Sequence, residues 1–243
     1  MDTVIRMDRV SMHYNLMAEG TNSLKEFVIR LLKGRLLYDD FVALDDVSFE
    51  IGRGELVGII GYNGSGKSTT LKLLAGVLSP TSGTVEVEGE VAPLIELGAG
   101  FDPELTAEEN IYLNGAIQGH PHSYMKSHFD EILDFSELHE FVHVPLKNFS
   151  SGMKSRLGFA VATAVEPDIL LVDEVLSVGD HRFRRKCEER IQGLISRGVT
   201  VVLVSHNTDL VSRMCPRVIW LEKGRVRAAG NAAELCAAYR GQK

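Results

Sequence analysis

The stretch GYNGSGKST (Gly61–Thr69) fits the spacing G-x-x-x-x-G-K-[ST] at every fixed position. That spacing serves the cradling of phosphate groups. Gly61, Gly64 and Gly66 let the backbone curl so that its N–H groups converge on phosphate oxygens. Tyr62, Asn63, Ser65 and Thr69 complete the loop. Lys67 can reach β- and γ-phosphates, and Ser68 can ligate Mg²⁺. A strand-like run, ELVGII, precedes the loop, and a helical run, STTLKLLAG, follows it. The helix N-terminus then adds its partial positive charge to the site. ATP and Mg²⁺ are the expected ligands.

Three further stretches carry groups that such a site could use. In DILLVDEVLSVGD (Asp168–Asp180), four apolar residues lead to Asp173, a carboxylate at the exit of a buried strand. It suits Mg²⁺, bound directly or through a water. Glu174 follows immediately and is placed to orient or deprotonate an attacking water. In VVLVSHN, His206 stands just past another buried strand, where a γ-phosphate contact is expected. In NFSSGMKSRLGFAVA, Ser150, Ser151 and Gly152 open an amphipathic helix, a second start where an anion could be held.

The elements that must position these residues read as an α/β chain. Strand-like runs are TVIRMDRVSM, ALDDVSFEI, ELVGIIG, GTVEVEGEV, DILLVD, TVVLVS and RVIWLEKGRVRAAG. ILLVD and TVVLVS are apolar without alternation, as buried parallel strands are. Helical periodicity covers roughly 67–76, 107–118, 123–135, 152–166, 181–197, 207–214 and 231–240. The alternation predicts helices on both faces of a sheet. The middle, about 95–165, shows helices without strands and reads as a helical insertion. Between Thr21 and Leu36, TNSLKEFVIRLLKGRL reads as an amphipathic helix of its own, about 23–33. Ser23 and Glu26 make a capping box, and Leu24, Phe27, Val28, Leu31 and Leu32 form one apolar stripe.

The 243 residues carry a net charge of −7, which argues against bulk attraction to nucleic acid or anionic lipid. The three cysteines, Cys187, Cys215 and Cys236, match no metal-ligand spacing and are expected to be reduced thiols. No apolar run approaches the roughly 20 residues that a membrane-spanning helix needs. Membrane association is therefore expected through a partner. The basic run HRFRRKCEER (181–190) reads as a solvated helix face.

Taken in order, with Tyr14 ahead of them, these motifs resemble the nucleotide-binding subunit of ATP-binding cassette (ABC) transporters, over nearly the whole chain. The resemblance implies a P-loop cassette with a RecA-like core, an antiparallel β subdomain and a helical subdomain (about 97–165), all within one domain, 1–243. It makes Gly61–Thr69 the Walker A loop, Asp173 the end of Walker B and Glu174 the catalytic glutamate. Phe149–Met153 stands at the signature motif, Asp180 at the D-loop, and His206 is the switch histidine. Tyr14 would stack on adenine. Two cassettes would sandwich two ATP molecules as a homodimer, so that Ser150 and Gly152 serve the partner's nucleotide.

LIELGAGFDPELTAEENIYLNGAIQG, FSSGMKSRLGFAVA and VDEVLSVGD look like the exporters of bacterial cell-surface polysaccharides, of O-antigen, capsule and teichoic-acid types. The SSGM signature, the VGD D-loop and the insertion between Tyr14 and ALDDVSFEI are typical of that branch. The resemblance implies a separate integral membrane permease, in two copies, and a lipid-linked glycan as cargo. It places the subunit at the cytoplasmic face of the bacterial membrane, with no nucleic acid partner. The 23–33 helix would lie beside the permease near the glycan's way in, or simply pack on its own domain. Two departures stand out. IELGAGF lacks the Gln that most cassettes carry there, and Glu96 is the nearest polar residue. The sequence also stops at Lys243, so a C-terminal glycan-binding module is not expected. The rival readings are an importer or drug exporter cassette, which the insertion and the missing Gln oppose, and a soluble ABC protein acting on ribosomes or DNA, which usually has paired cassettes or a long coiled coil.

Overall fold

The computed structural model describes residues 2–17, 38–94, 98, 100–173 and 180–242, with side chains omitted at 15–17 and 38–40. The expected helix at 23–33, Glu96 and Glu174 lie outside the described residues.

Two sheets organise the chain. The first is antiparallel, with β1 (Thr3–Met17) between β2 (Tyr38–Gly52) and β4 (Ser82–Val87). The second has six strands in the order β5 (Val91–Leu94), β6 (Ile169–Asp173), β7 (Thr200–Val204), β3 (Leu56–Ile60), β8 (Arg217–Glu222), β9 (Arg225–Asn231). β5, β6, β7, β3 and β8 run parallel, and β9 closes the edge antiparallel to β8. Every residue of β3 and β7 is buried. This is why those strands read as unbroken apolar runs.

Alternate residues of the large sheet enter different cores. Leu56, Leu170, Val172, Val201, Leu203, Val218 and Trp220 face one apolar layer. Val57, Ile59, Ile169, Leu171, Val202, Val204, Ile219 and Leu221 face the other. The first layer is covered by helices: α2 (Ala107–Ile117), α3 (His122–Ser136), α4 (Ser151–Ala164), α5 (His181–Ser196), α6 (Thr208–Met214) and α7 (Ala232–Arg240). The second is covered by α1 (Lys67–Leu74) together with the three-stranded sheet. Helices thus pack on both faces as expected, but on one face a single short helix shares the cover with β-structure.

Three strand assignments change. RVIWLEKGRVRAAG is two antiparallel strands, β8 and β9, because the chain turns at Lys223–Gly224, where both residues have positive φ. GTVEVEGEV is two strands in different sheets, because the chain breaks pairing at Glu88–Glu90 and crosses over. The backbone N–H of Glu90 donates to Asp168 Oδ2 at 2.8 Å, and Ile169 N–H donates to the Glu90 carbonyl at 3.0 Å. These bonds carry the chain onto β6. The β1–β2 hairpin is also longer than its apolar pattern suggested, continuing through Tyr14↔Phe41 to Met17↔Tyr38. The insertion after Tyr14 therefore leaves from and returns to a paired ladder.

The basic run at 181–190 is not wholly solvated. Lys186 Nζ donates to the carbonyls of Asp134 (3.0 Å) and Phe135 (2.8 Å), which lie in the last turn of α3. Arg190 pairs with Glu131 at 2.5 Å, and its guanidinium stands 4.8 Å from the Phe135 ring centre. The long stems lie against an apolar cluster while the charges cap carbonyls or meet a carboxylate. The three cysteines are free and buried. Burial pushes the Cys187 and Cys215 thiols up to about 12, so both stay protonated at neutral pH. Among the described residues no helix is long and apolar enough to cross a membrane.

Candidate nucleotide site

The adjacency of β6, β7 and β3 brings three strand exits to one edge. Ile60 runs straight into the glycine loop, Asp173 ends β6, and Ser205 and His206 follow β7. Asp173 pairs in register with Val204, and Val204 with Ile59, so the three exits are level. Carboxyl ends of parallel strands at such a position are where α/β sheets hold ligands.

The loop's curl depends on missing side chains. A Cβ on Gly61 would sit 2.3 Å from the Leu221 carbonyl oxygen. Gly66 has φ 102°, and a Cβ there would meet Leu44 Cδ2 at 2.4 Å and the Ala43 carbonyl at 2.8 Å. The antiparallel sheet therefore presses on the loop at Ala43–Leu44, and Gly66 caps α1 in the left-handed region. Lys67 is 7% exposed. Its Nζ donates to the carbonyls of Gly61 (2.9 Å) and Tyr62 (3.0 Å), which tie the head group across the curl. Asn63, Gly64, Gly66, Lys67, Ser68, Thr69 and Asp173 line an open cavity of about 450 Å³. Ser68 Oγ lies 3.4 Å from Asp173 Oδ2 at its wall. Ser65 is buried, and its Oγ has no hydrogen-bond partner among the described residues.

This arrangement fits a polyphosphate with a hard cation. The cavity floor is a helix N-terminus with a lysine, and Asp173, the acidic wall residue among those described, faces a hydroxyl, an all-oxygen donor set suited to Mg²⁺. His206 is exposed on the loop between β7 and α6. Tyr14 lies farther out on the hairpin that passes Gly66, directly opposite Phe41, which is 47% exposed. Cross-strand partners share a face, so the two rings belong to the same side of that sheet.

Ser150, Ser151, Gly152 and Asp180 are placed elsewhere. Ser150 caps α4, its Oγ accepting from Met153 N–H at 3.2 Å. Ser151 is exposed, and a Cβ on Gly152 would meet only Ser150 Oγ, at 3.9 Å. Local packing thus gives no reason for glycine at 152. Asp180 caps α5 by accepting from Phe183 N–H at 2.9 Å. That bond first, and then the Arg156 charge, hold its carboxyl below the usual value. The strand exits hold Lys67, Ser68, Asp173 and His206 at one edge, whereas Ser150–Gly152 and Asp180 stand at the starts of two other helices.

Arg156 was not singled out by motif reading, yet it joins those two helices. It donates from Nη1 to Glu137 Oε2 at 3.0 Å and from Nη2 to Asp180 Oδ2 at 2.7 Å. Its guanidinium stands 4.8 Å from the Phe183 ring centre. The signal was its place inside SSGMKSRLGF, on the helix that Ser150 caps. Arg156→Ala should lower stability by about 1 kcal/mol after allowance for solvent screening of the exposed carboxylates. In a chain of this size that is a drop in Tm of about 2–4 °C. Calorimetry checks it, and an unchanged Tm would mean that the two bridges contribute nothing.

A family model described as "ABC transporter" matches residues 44–177. The "O-antigen export system ATP-binding protein RfbB" of Klebsiella pneumoniae is 46% identical, over 99% of this chain and 98% of its own. The "Teichoic acids export ATP-binding protein TagH" of Bacillus anthracis is 39% identical, over 98% of this chain and 43% of its own length. Among solved structures, an ATP binding subunit of an ABC transporter superposes with TM-score 0.78 at 24% identity, covering 98% of this chain and 94% of the other. A dimeric bacterial ABC transporter cassette gives TM-score 0.75 at 25% identity, covering 94% and 98%. With a family model spanning over half of the residues and a relative matched from end to end, this chain belongs to the ABC transporter family as an ATPase cassette.

Proposed function

We propose that this chain, 1–243, is a single cassette that hydrolyses ATP to drive export of a lipid-linked cell-surface polysaccharide, of O-antigen, capsule or teichoic-acid type, across the cytoplasmic membrane. The observation that carries the cargo class is the end-to-end likeness to a protein of an O-antigen export system. Supporting it, the β1–β2 ladder stays paired up to Met17↔Tyr38, the two residues that flank the insertion typical of that branch.

In this reading two copies face each other, docked on a permease in two copies at the cytoplasmic face. Tyr14 stacks on adenine, and the Gly61–Thr69 backbone encloses the phosphates. Lys67 stabilises charge as it builds on the γ-phosphoryl oxygens. Ser68 and Asp173 would hold Mg²⁺, which when bound offsets phosphate charge. Glu174 orients the attacking water and accepts its proton, and the bond from the γ-phosphorus to the ADP oxygen breaks. His206 contacts the γ-phosphate. Ser150, Ser151, Gly152 and Asp180 face the other copy's nucleotide, so hydrolysis requires the closed dimer and reopens it.

Deletion of the gene in its native host, followed by complementation, tests the cargo. Surface polysaccharide should disappear, its lipid-linked form should accumulate inside, and wild-type chain but not Lys67→Ala should restore export. Deleting Ser23–Lys33 behind a short Gly-Ser bridge should leave ATP hydrolysis near the wild-type rate and abolish export. Normal surface polysaccharide in the deletion strain sinks the assignment. Normal export by the helix-less protein removes that helix from transport.

A further inference from the structure

The phosphate loop touches the last helix through one side chain that phosphate chemistry does not require. Tyr62 gives the site its carbonyl, which accepts from Lys67 Nζ at 3.0 Å, but its ring is not part of the cavity lining. The ring stands 5.0 Å from that of Tyr239 in α7, tilted by 40°. Tyr62 Oη also donates to the Gln242 carbonyl at 3.4 Å, just past that helix.

Tyr239 is itself fixed from behind. It is 4% exposed and meets Trp220 of β8 edge-on, with ring centres 5.3 Å apart. Arg227 of β9 lies over the Trp220 ring at 4.4 Å and donates to Gln242 Oε1 at 2.9 Å. The core sheet thus holds α7 from one side, and α7 presents a rigid ring to the loop from the other. That ring meets the ring of Tyr62, and the carbonyls of Tyr62 and its neighbour Gly61 are the two that grip Lys67.

We infer that Tyr239 is a positioning residue for the nucleotide site, setting through the Tyr62 ring the backbone that holds Lys67. Coupling of this kind is reciprocal, so nucleotide in the loop also changes the surroundings of Tyr239 and Trp220. The inference rests on ATP occupying the loop.

The test uses the full chain. ATP KM and kcat, affinity for a non-hydrolysable ATP analogue by calorimetry, and Tm are measured for Tyr62→Ala, Tyr239→Leu, Tyr239→Phe and the Tyr62→Ala/Tyr239→Leu double variant. Leucine refills much of the buried space, and phenylalanine keeps the ring. Tyr62→Ala and Tyr239→Leu should each raise KM about two- to tenfold, the range expected for losing one aromatic pair. The double variant should be no worse than the poorer single one, because the pair acts as a unit. Tyr239→Phe should match wild type. Trp220 is the chain's one tryptophan, so its fluorescence should change when the analogue binds wild type and stay unchanged in saturated Tyr62→Ala. A purely structural Tyr239 would lower Tm in Tyr239→Leu and leave KM and affinity at wild-type values, which overturns the inference. Additive losses in the double variant overturn it as well. Should Tyr239→Leu not fold, the Tyr62→Ala fluorescence arm decides, since Tyr62 is 38% exposed and its truncation spares the core. Wild-type chain that binds no nucleotide would instead fault the ATP reading itself.

Discussion

Lys67→Ala should hydrolyse ATP at less than about a hundredth of the wild-type rate, the scale on which removing one charge-stabilising group acts in a preorganised site. The reason is local. The Lys67 ammonium is nearly buried and held by two carbonyls of its own loop, 2.9 and 3.0 Å away. It is therefore fixed before substrate arrives, and little reorganisation is needed as charge builds on the γ-phosphate. Alanine removes the cation and leaves both carbonyls without that donor. The loop should still close on Gly61 and Gly66, whose packing against Leu221 and Leu44 does not involve the lysine side chain. Steady-state phosphate release measures the rate, and thermal melting shows whether the fold survives. A folded variant with a rate within about threefold of wild type would take the loop out of the reaction.

Glu174→Gln should trap the closed dimer. The substitution keeps size and hydrogen-bonding capacity but removes the charge and the base. Hydrolysis should fall by about 10²–10⁴, the usual contribution of a positioned general base. ATP binding should survive, because Lys67 and the glycine loop are untouched. With ATP and Mg²⁺ present, light scattering should report a mass near twice that of the chain, returning to the monomer value when nucleotide is removed. Normal turnover in this variant would shift the base role elsewhere, and His206 would be the next residue to test.

The placement of Lys67, Ser68, Asp173 and His206 at one edge of the candidate site was legible because the signals for it are local. The glycine loop needs only a run of neighbours and the turn they make. Strands β3, β6 and β7 are buried on both faces, so their apolar runs point straight at Asp173, His206 and the loop. The features that escaped depend on partners far along the chain. TVEVEGEVAPL alternates without a visible break, and the crossing from one sheet to the other is set by the Asp168 carboxylate. Lys186 and Arg190 sit in a run that looks uniformly polar. Their direction is decided by carbonyls and a carboxylate on α3 and by the Phe135 ring. Helical periodicity cannot report such contacts, because a long basic side chain can lie along an apolar face and still be charged. The pairing of Tyr62 with Tyr239 is hidden for the same reason: neither residue is unusual in its own neighbourhood.

The placement of β3 between β7 and β8 governs when this protein can first work during its biosynthesis. Leu56–Ile60 leaves the ribosome well before both of its neighbours in the sheet, Thr200–Val204 and Arg217–Glu222. At about 5–20 residues per second, the nascent strand waits on the order of ten seconds for them. The β1–β2 hairpin and β4 can pair during that time, so the outer sheet can form while the nucleotide loop still lacks its platform. An apolar strand that must stay unpaired this long is a natural client for chaperones, and truncated products ending before Thr200 should aggregate rather than bind ATP.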